Sequence, residues 1–290
     1  MRKRNALSTR RGVLTSPSRD GSSPSSISRR WIKSCIFALY VGVAGEAGAT
    51  GEAGVSSAIR ALDASTGVQV PADDPDALYR DRENLASAKR AAEIWQTRLK
   101  ANARDFESAF KLAQARYWLG TNGLPEAERK AALEAGISAA RSAIAINAAR
   151  PEGHFWLAAN MGALAESFGL RQGIKYRGQI KDALLTTLKI DPGFLQGSAD
   201  RALGRWYFKV PGLFGGSNKR SEEHLRKSLT YNPNSVISHL FLGDTLADEG
   251  RKDEARKQYQ AAIDAPFDPD WTPEDRRFKE QARALLAKLR

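Results

Sequence analysis

Cysteine, histidine and long apolar runs are all scarce in this chain. It has 290 residues, one cysteine and three histidines. Cys35 has no second thiol to pair with, so intramolecular disulfides are excluded. His154, His224 and His239 stand far apart with no metal-ligand spacing, which argues against a metal centre. The longest apolar stretch, 34–44, has eleven residues, too few to span a bilayer as a helix. Alternating β-branched runs are also rare, which disfavours sheet. No Ser/His/Asp or Cys/His set and no pocketed carboxylate pair can be assembled, so a catalytic role has no residues to carry it. The glycine-rich run from Val210 to Lys219 ends in lysine, but it does not fit a phosphate loop and no strand precedes it. It reads as an extended turn in which Leu213 and Phe214 either tuck into the fold or face a partner.

What is abundant is alanine, leucine and tryptophan at helical spacing. Gly243, Ala255, Tyr259 and Ala262 follow the pattern of a helical hairpin. The small residues let paired helices approach, Tyr259 fills the gap between them, and Gly250 ends the first helix. The register recurs at Gly204, Ser221, Leu225 and Ser228, then at Ala158 with Ile180, and at Ala113 with Gly136. From first to second small position the interval is 12, 17, 22 and 23 residues, counting from the last unit back to the first. The extra length must lengthen the paired helices or build loops along one edge. Asp74-Pro75-Asp76 opens a helix predicted to run about 27 residues, with the stripe Leu78, Leu85, Ala88, Ala92, Trp95 and Leu99. Thr272-Pro273-Glu274-Asp275 opens a last helix with Phe278, Ala282, Leu285 and Leu289 inward. Its many cations, Lys279 among them, suit a polar cap. The expected fold is all-α: a tetratricopeptide-like (TPR-like) α-solenoid of about four hairpins with elongated helices and a C-terminal capping helix, over residues 75–290.

Residues 1–49 read differently. Nine Lys/Arg and one acid fall in 1–33, followed by the apolar stretch and Ala47-Gly48-Ala49 as a small-residue cleavage site. That is the plan of an export leader with a long basic preface, and 50–74 reads as a flexible linker. A twin-arginine signal and a mitochondrial transit peptide are the alternatives. Cys35 precedes the apolar stretch, so it is not placed like a lipoprotein cysteine and would leave with the leader.

The net charge of +12 is uneven: +7 in 1–49, −1 in 50–169, +7 in 170–230 and −1 in 231–290. Once the leader is removed the balance is only mildly basic, which argues against nucleic acid. The excess around Arg171, Lys175 and Arg177 reads chiefly as a solvated outer face. The hairpin register places Tyr117, Phe155, Arg201, Arg205, Phe208 and Asp244 on the concave groove. Aromatic and charged groups together suit a small organic acid or another ligand with an apolar body and a charged end. No cofactor is implied, and self-association is left open.

Arg116-Tyr117-Trp118-Leu119-Gly120, His154-Phe155-Trp156, Gly204-Arg205-Trp206-Tyr207-Phe208 and Pro211-Gly212-Leu213-Phe214-Gly215-Gly216 occur in an order that resembles one branch of the TPR families. It looks like the T component of TRAP transporters and the related regulators of microtubule dynamics. The first resemblance implies an exported, non-enzymatic protein that associates with a periplasmic solute-binding subunit and offers an apolar cavity. The alternatives are a general interaction scaffold of the cell envelope, or a mitochondrial or cytosolic relative of the microtubule regulators.

Overall fold

The computed structural model describes residues 74–289; the segment 1–49, expected to be an export leader, and nearly all of 50–74, expected to be a linker, lie outside them. Eleven α-helices follow one another among the described residues: α1 Pro75–Arg80, α2 Leu85–Ala101, α3 Phe106–Thr121, α4 Glu126–Ile146, α5 Pro151–Ser167, α6 Leu170–Ile190, α7 Phe194–Lys209, α8 Asn218–Tyr231, α9 Val236–Asp248, α10 Lys252–Asp264 and α11 Thr272–Lys288. No strand occurs among them. Four hairpins (α3/α4, α5/α6, α7/α8 and α9/α10) stack in order. Their first helices, α3, α5, α7 and α9, also touch in sequence and form the inner layer, which makes this a TPR-like solenoid.

Small residues sit where helices cross. A Cβ on Gly243 would lie 2.5 Å from Tyr259 Cε1, and one on Gly204 2.5 Å from Leu225 Cγ. Ala255, Tyr259, Ala262, Ser221, Leu225 and Ser228 are all buried, as the repeat register requires. Gly250 has φ +79° and its N–H reaches the Ala247 carbonyl, closing α9 before α10 begins. In the first hairpin the close approach is one heptad from the expected one. Gly120, not Ala113, meets the facing helix, against Leu133. Gly136 faces the next hairpin instead, where a Cβ would overlap Asn160 Oδ1. Gly120 stands 12 residues before the buried Ala132, the same interval as from Gly243 to Ala255. In the second hairpin the long interval is taken up by helix, whereas in the third the five extra residues lie in the 210–217 loop between α7 and α8.

The single long helix expected from Asp74 is two helices. Asp74 caps α1 by accepting from the Asp76 amide at 3.0 Å, and Asn84 restarts the chain by accepting from the Ala86 amide at 3.1 Å. Asn is a strong N-cap, and here it overrides the continuing apolar stripe. The break serves Arg82, which is only 5% exposed. Its guanidinium donates to both carboxylate oxygens of Glu274, at 3.1 and 2.7 Å, and to the Asp270 carbonyl at 2.6 Å. It also lies 5.1 Å over the Tyr79 ring and 5.2 Å over Trp118. Arg276 pairs with Glu83 at 2.7 Å, and Arg277 donates to Asn122 Oδ1. The capping helix thus grips the beginning of the stack as well as its end, and the solenoid closes on itself. Lys279, expected on the polar face of α11, is buried, with its ammonium donating to the carbonyls of Ile263 and Ala265. Those carbonyls belong to the end of α10, where a cation is favoured.

One stretch departs from ordinary helix. Leu195, Gln196 and Gly197 have φ of +44°, +57° and +74°, a left-handed turn ahead of the right-handed part of α7. Such a turn costs about 1–2 kcal/mol for each non-glycine residue. Gln196 is held there by hydrogen bonds with Asn232 and, at 3.2 Å, Asp268.

Candidate functional site

The inner layer sets the register of the concave face. Arg205 on α7 reaches Glu166 on α5 at 3.2 Å and Asp244 on α9 at 2.8 Å, each 39 residues away. Equivalent positions on α5, α7 and α9 are therefore 39 apart. Tyr259 on α10 donates its hydroxyl to the other Asp244 oxygen at 3.0 Å. The Arg205 guanidinium also lies 4.3 Å over the Phe241 ring and 5.6 Å over Phe208. Burial alone would lower the Arg205 pKa, but Glu166 and Asp244 outweigh it and raise it. Burial likewise opposes ionisation of Glu166, yet Arg205 and Lys209 hold its carboxyl below the usual range. Burial pushes the Tyr259 phenol up, and the neighbouring Asp244 charge adds to the effect.

Arg201, one turn before Arg205, is different. It is partly buried and makes no hydrogen bond or ion pair with the described residues. Burial draws its pKa down to about 10, opposed by the more distant Tyr117, Asp275 and Asp268, so it stays cationic at neutral pH. The 39-residue register sets Gly162 level with Arg201, and a Cβ on Gly162 would meet no atom within 4 Å. Room and an unmatched charge coincide there. Tyr117 is partly buried, packs against Trp156 with ring centroids 5.7 Å apart, and has its phenol pKa raised by burial.

The six residues expected on the groove are thus divided. Arg201, Arg205 and Phe208 share the inner face of α7, Asp244 joins them from α9, and the Tyr117 phenol feels the Arg201 charge. Phe155 is 8% exposed and packs edge-on against Trp156 and Phe194, at 5.1 and 5.6 Å, within the core. Arg205 and Asp244 already satisfy one another. Glu166, Phe241 and α11 complete the face, and the equal spacing of Glu166, Arg205 and Asp244 was the sequence signal for the ion pairs. From α11, Phe278 meets Phe241 at 6.3 Å and Arg277 covers Phe278 at 4.7 Å.

Elsewhere, an open hollow of about 380 Å³ lies beside Gln196, Tyr231, Asn232 and Phe267, lined by none of the six residues. Each histidine is occupied separately: His154 with the Ala148 carbonyl, His224 with Asp200, and His239 between Gln258 and the Pro233 carbonyl. Among the described residues no group of three or more His, Cys, Asp or Glu could hold a metal ion. No described helix is long and apolar enough to cross a membrane.

Stacked hairpins closed by a capping helix decide the fold. This is a TPR-like helical-repeat protein. Residues 73–214, just under half of the chain, match the family model described as Regulator of microtubule dynamics protein 1-3. Among solved structures it is similar to TTC0263, a thermophilic TPR protein of Thermus thermophilus. The identity is 20% and the TM-score 0.55, over 74% of this chain and 98% of that one. It is also similar to MamA, at 16% identity and TM-score 0.44, over 73% of this chain and 99% of the other. No curated protein matches.

Proposed function

We propose that this TPR-like protein is a non-enzymatic binder whose concave face receives the anionic end of an organic acid at Arg201. Tyr117 and Phe208 would contact the apolar body. The observation behind this is the contrast between two arginines one turn apart. Arg205 is matched by two carboxylates, whereas Arg201 has none in reach of an ion pair, and Gly162, level with it in the inner-helix register, leaves room for a Cβ. A cation drawn partly out of water without a partner is costly, and a ligand carboxylate would recover part of that cost through a bidentate pair. Calorimetric titration with a panel of aliphatic and aromatic carboxylates tests this. Arg201→Ala should lose the binding seen with the parent and Arg201→Lys should recover part of it; equal affinity in all three would remove the reading.

The leader-like 1–49 segment and the resemblance to the TRAP T component support export and association with a periplasmic solute-binding subunit. Fractionation of the native cell followed by pulldown tests both. The match to the microtubule-regulator family over 73–214 favours a second reading, a scaffold that docks a protein partner in the mitochondrion or cytosol. Co-sedimentation with polymerised tubulin distinguishes it.

A further inference from the structure

The loop after α7 holds apolar side chains out into water. Leu213 is 76% exposed and Phe214 37%, at the tip of a 3₁₀ turn spanning Gly212–Phe214. The turn is built, not collapsed: the Phe214 and Gly216 amides donate to the Pro211 carbonyl at 2.8 and 3.1 Å, and the Gly215 amide donates to the Gly212 carbonyl at 3.0 Å. On the neighbouring helix α6, Ile174 is 41% exposed. Arg177 joins the two, lying 5.3 Å over the Phe214 ring and donating to the Ile174 carbonyl at 2.8 Å. The Trp206 indole donates to the Arg177 carbonyl at 2.9 Å, and Lys181 lies 5.1 Å over the Trp206 ring. Together, segments 170–181 and 206–220 hold seven Lys/Arg and no Asp or Glu. Arg177, read from sequence as part of a solvated face, therefore stacks on an apolar apex.

We infer that this outer face is a docking site for an anionic lipid surface, with Leu213 and Phe214 entering the interface and the surrounding cations meeting the headgroups. The inference is independent of the concave face. A convex apex of two apolar side chains has no hollow of its own, so it suits a deformable plane. The excess of cations in these two segments complements a negative one. Burying Leu213 and Phe214 adds a hydrophobic contribution that charge alone lacks.

The test uses the full chain carrying Leu213→Cys in a Cys35→Ser background, which leaves one thiol for an environment-sensitive nitrobenzoxadiazole label. Vesicles of phosphatidylcholine mixed with phosphatidylglycerol should shift the emission to the blue and brighten it. Pure phosphatidylcholine vesicles should not, and high salt should reverse the response. Removing one exposed cation, by Arg171→Gln, Lys175→Gln or Lys219→Gln, should lower partitioning about fivefold each. Because the label reports only its own surroundings, vesicle binding by the 1–49 segment alone would leave it unchanged. Unchanged emission on anionic vesicles overturns the inference. So does a response to polyglutamate in place of lipid, which would assign the face to an acidic protein.

Discussion

Removing the Glu274 carboxylate, by Glu274→Ala, should destabilise the protein by about 3–5 kcal/mol. Glu274 is 12% exposed and Arg82 only 5%, so water cannot readily replace either partner. Without Glu274 the guanidinium keeps the Asp270 carbonyl and a weaker 3.4 Å contact with the Tyr79 carbonyl, and its charge is left unmatched. Arg82→Met strands Glu274 instead and also forfeits packing on Tyr79 and Trp118. The double variant Arg82→Met with Glu274→Leu removes both charges and refills the space, so it should cost less than either single change. Urea unfolding followed by circular dichroism supplies the three free energies, provided the slope is unchanged between variants. A single-variant cost below about 1 kcal/mol would show that the clasp adds nothing beyond a surface ion pair. Simple additivity would show that the two residues do not act on each other.

Three further outcomes follow from the same geometry. Gly197→Ala should cost about 1–3 kcal/mol, because φ is +74° and the new methyl would lie 2.7 Å from the Tyr231 ring; thermal unfolding checks it. Gly204→Ala should cost about 1–3 kcal/mol by overlap with Leu225, and adding Leu225→Ala should recover part of that loss in a double-mutant cycle. Glu166 has a folded pKa below its unfolded value, so its contribution is present above the unfolded carboxylate range and lost as pH falls through the folded pKa. Carboxyl-carbon NMR titration should place Glu166 below an ordinary glutamate, and Arg205→Gln should return it upward.

The hairpins were legible because their requirements are local: a glycine or alanine at each crossing, and a tyrosine or leucine one turn beyond it. Gly243 with Tyr259 and Gly204 with Leu225 needed no tertiary knowledge. In the first hairpin two small residues a heptad apart, Ala113 and Gly120, were both available for the crossing, and the packing of Gly120 against Leu133 chose between them. The helix break at Asn84 was hidden beneath an apolar stripe that continues across it. Lys279 read as a surface charge, and the pairing of Arg82 with Glu274 had no signal at all, because contact between residues nearly 200 positions apart leaves no periodic trace. On the concave face the charged types were legible and their pairing was not. Arg201 and Arg205 look equivalent in sequence, and Glu166 with Asp244 separates them. Phe155 is a register matter: it turns toward Phe194 at the boundary between groove and core.

Closure also fixes the number of units. An open array of hairpins can gain or shed a copy by duplication or deletion, since each copy needs only its neighbours. Here an inserted pair of helices would carry the far end around the superhelix and out of reach of the loop it must grip. Extra length in this chain accordingly lies inside the hairpins, as helix in the second and as loop in the third, and not in added turns of the coil.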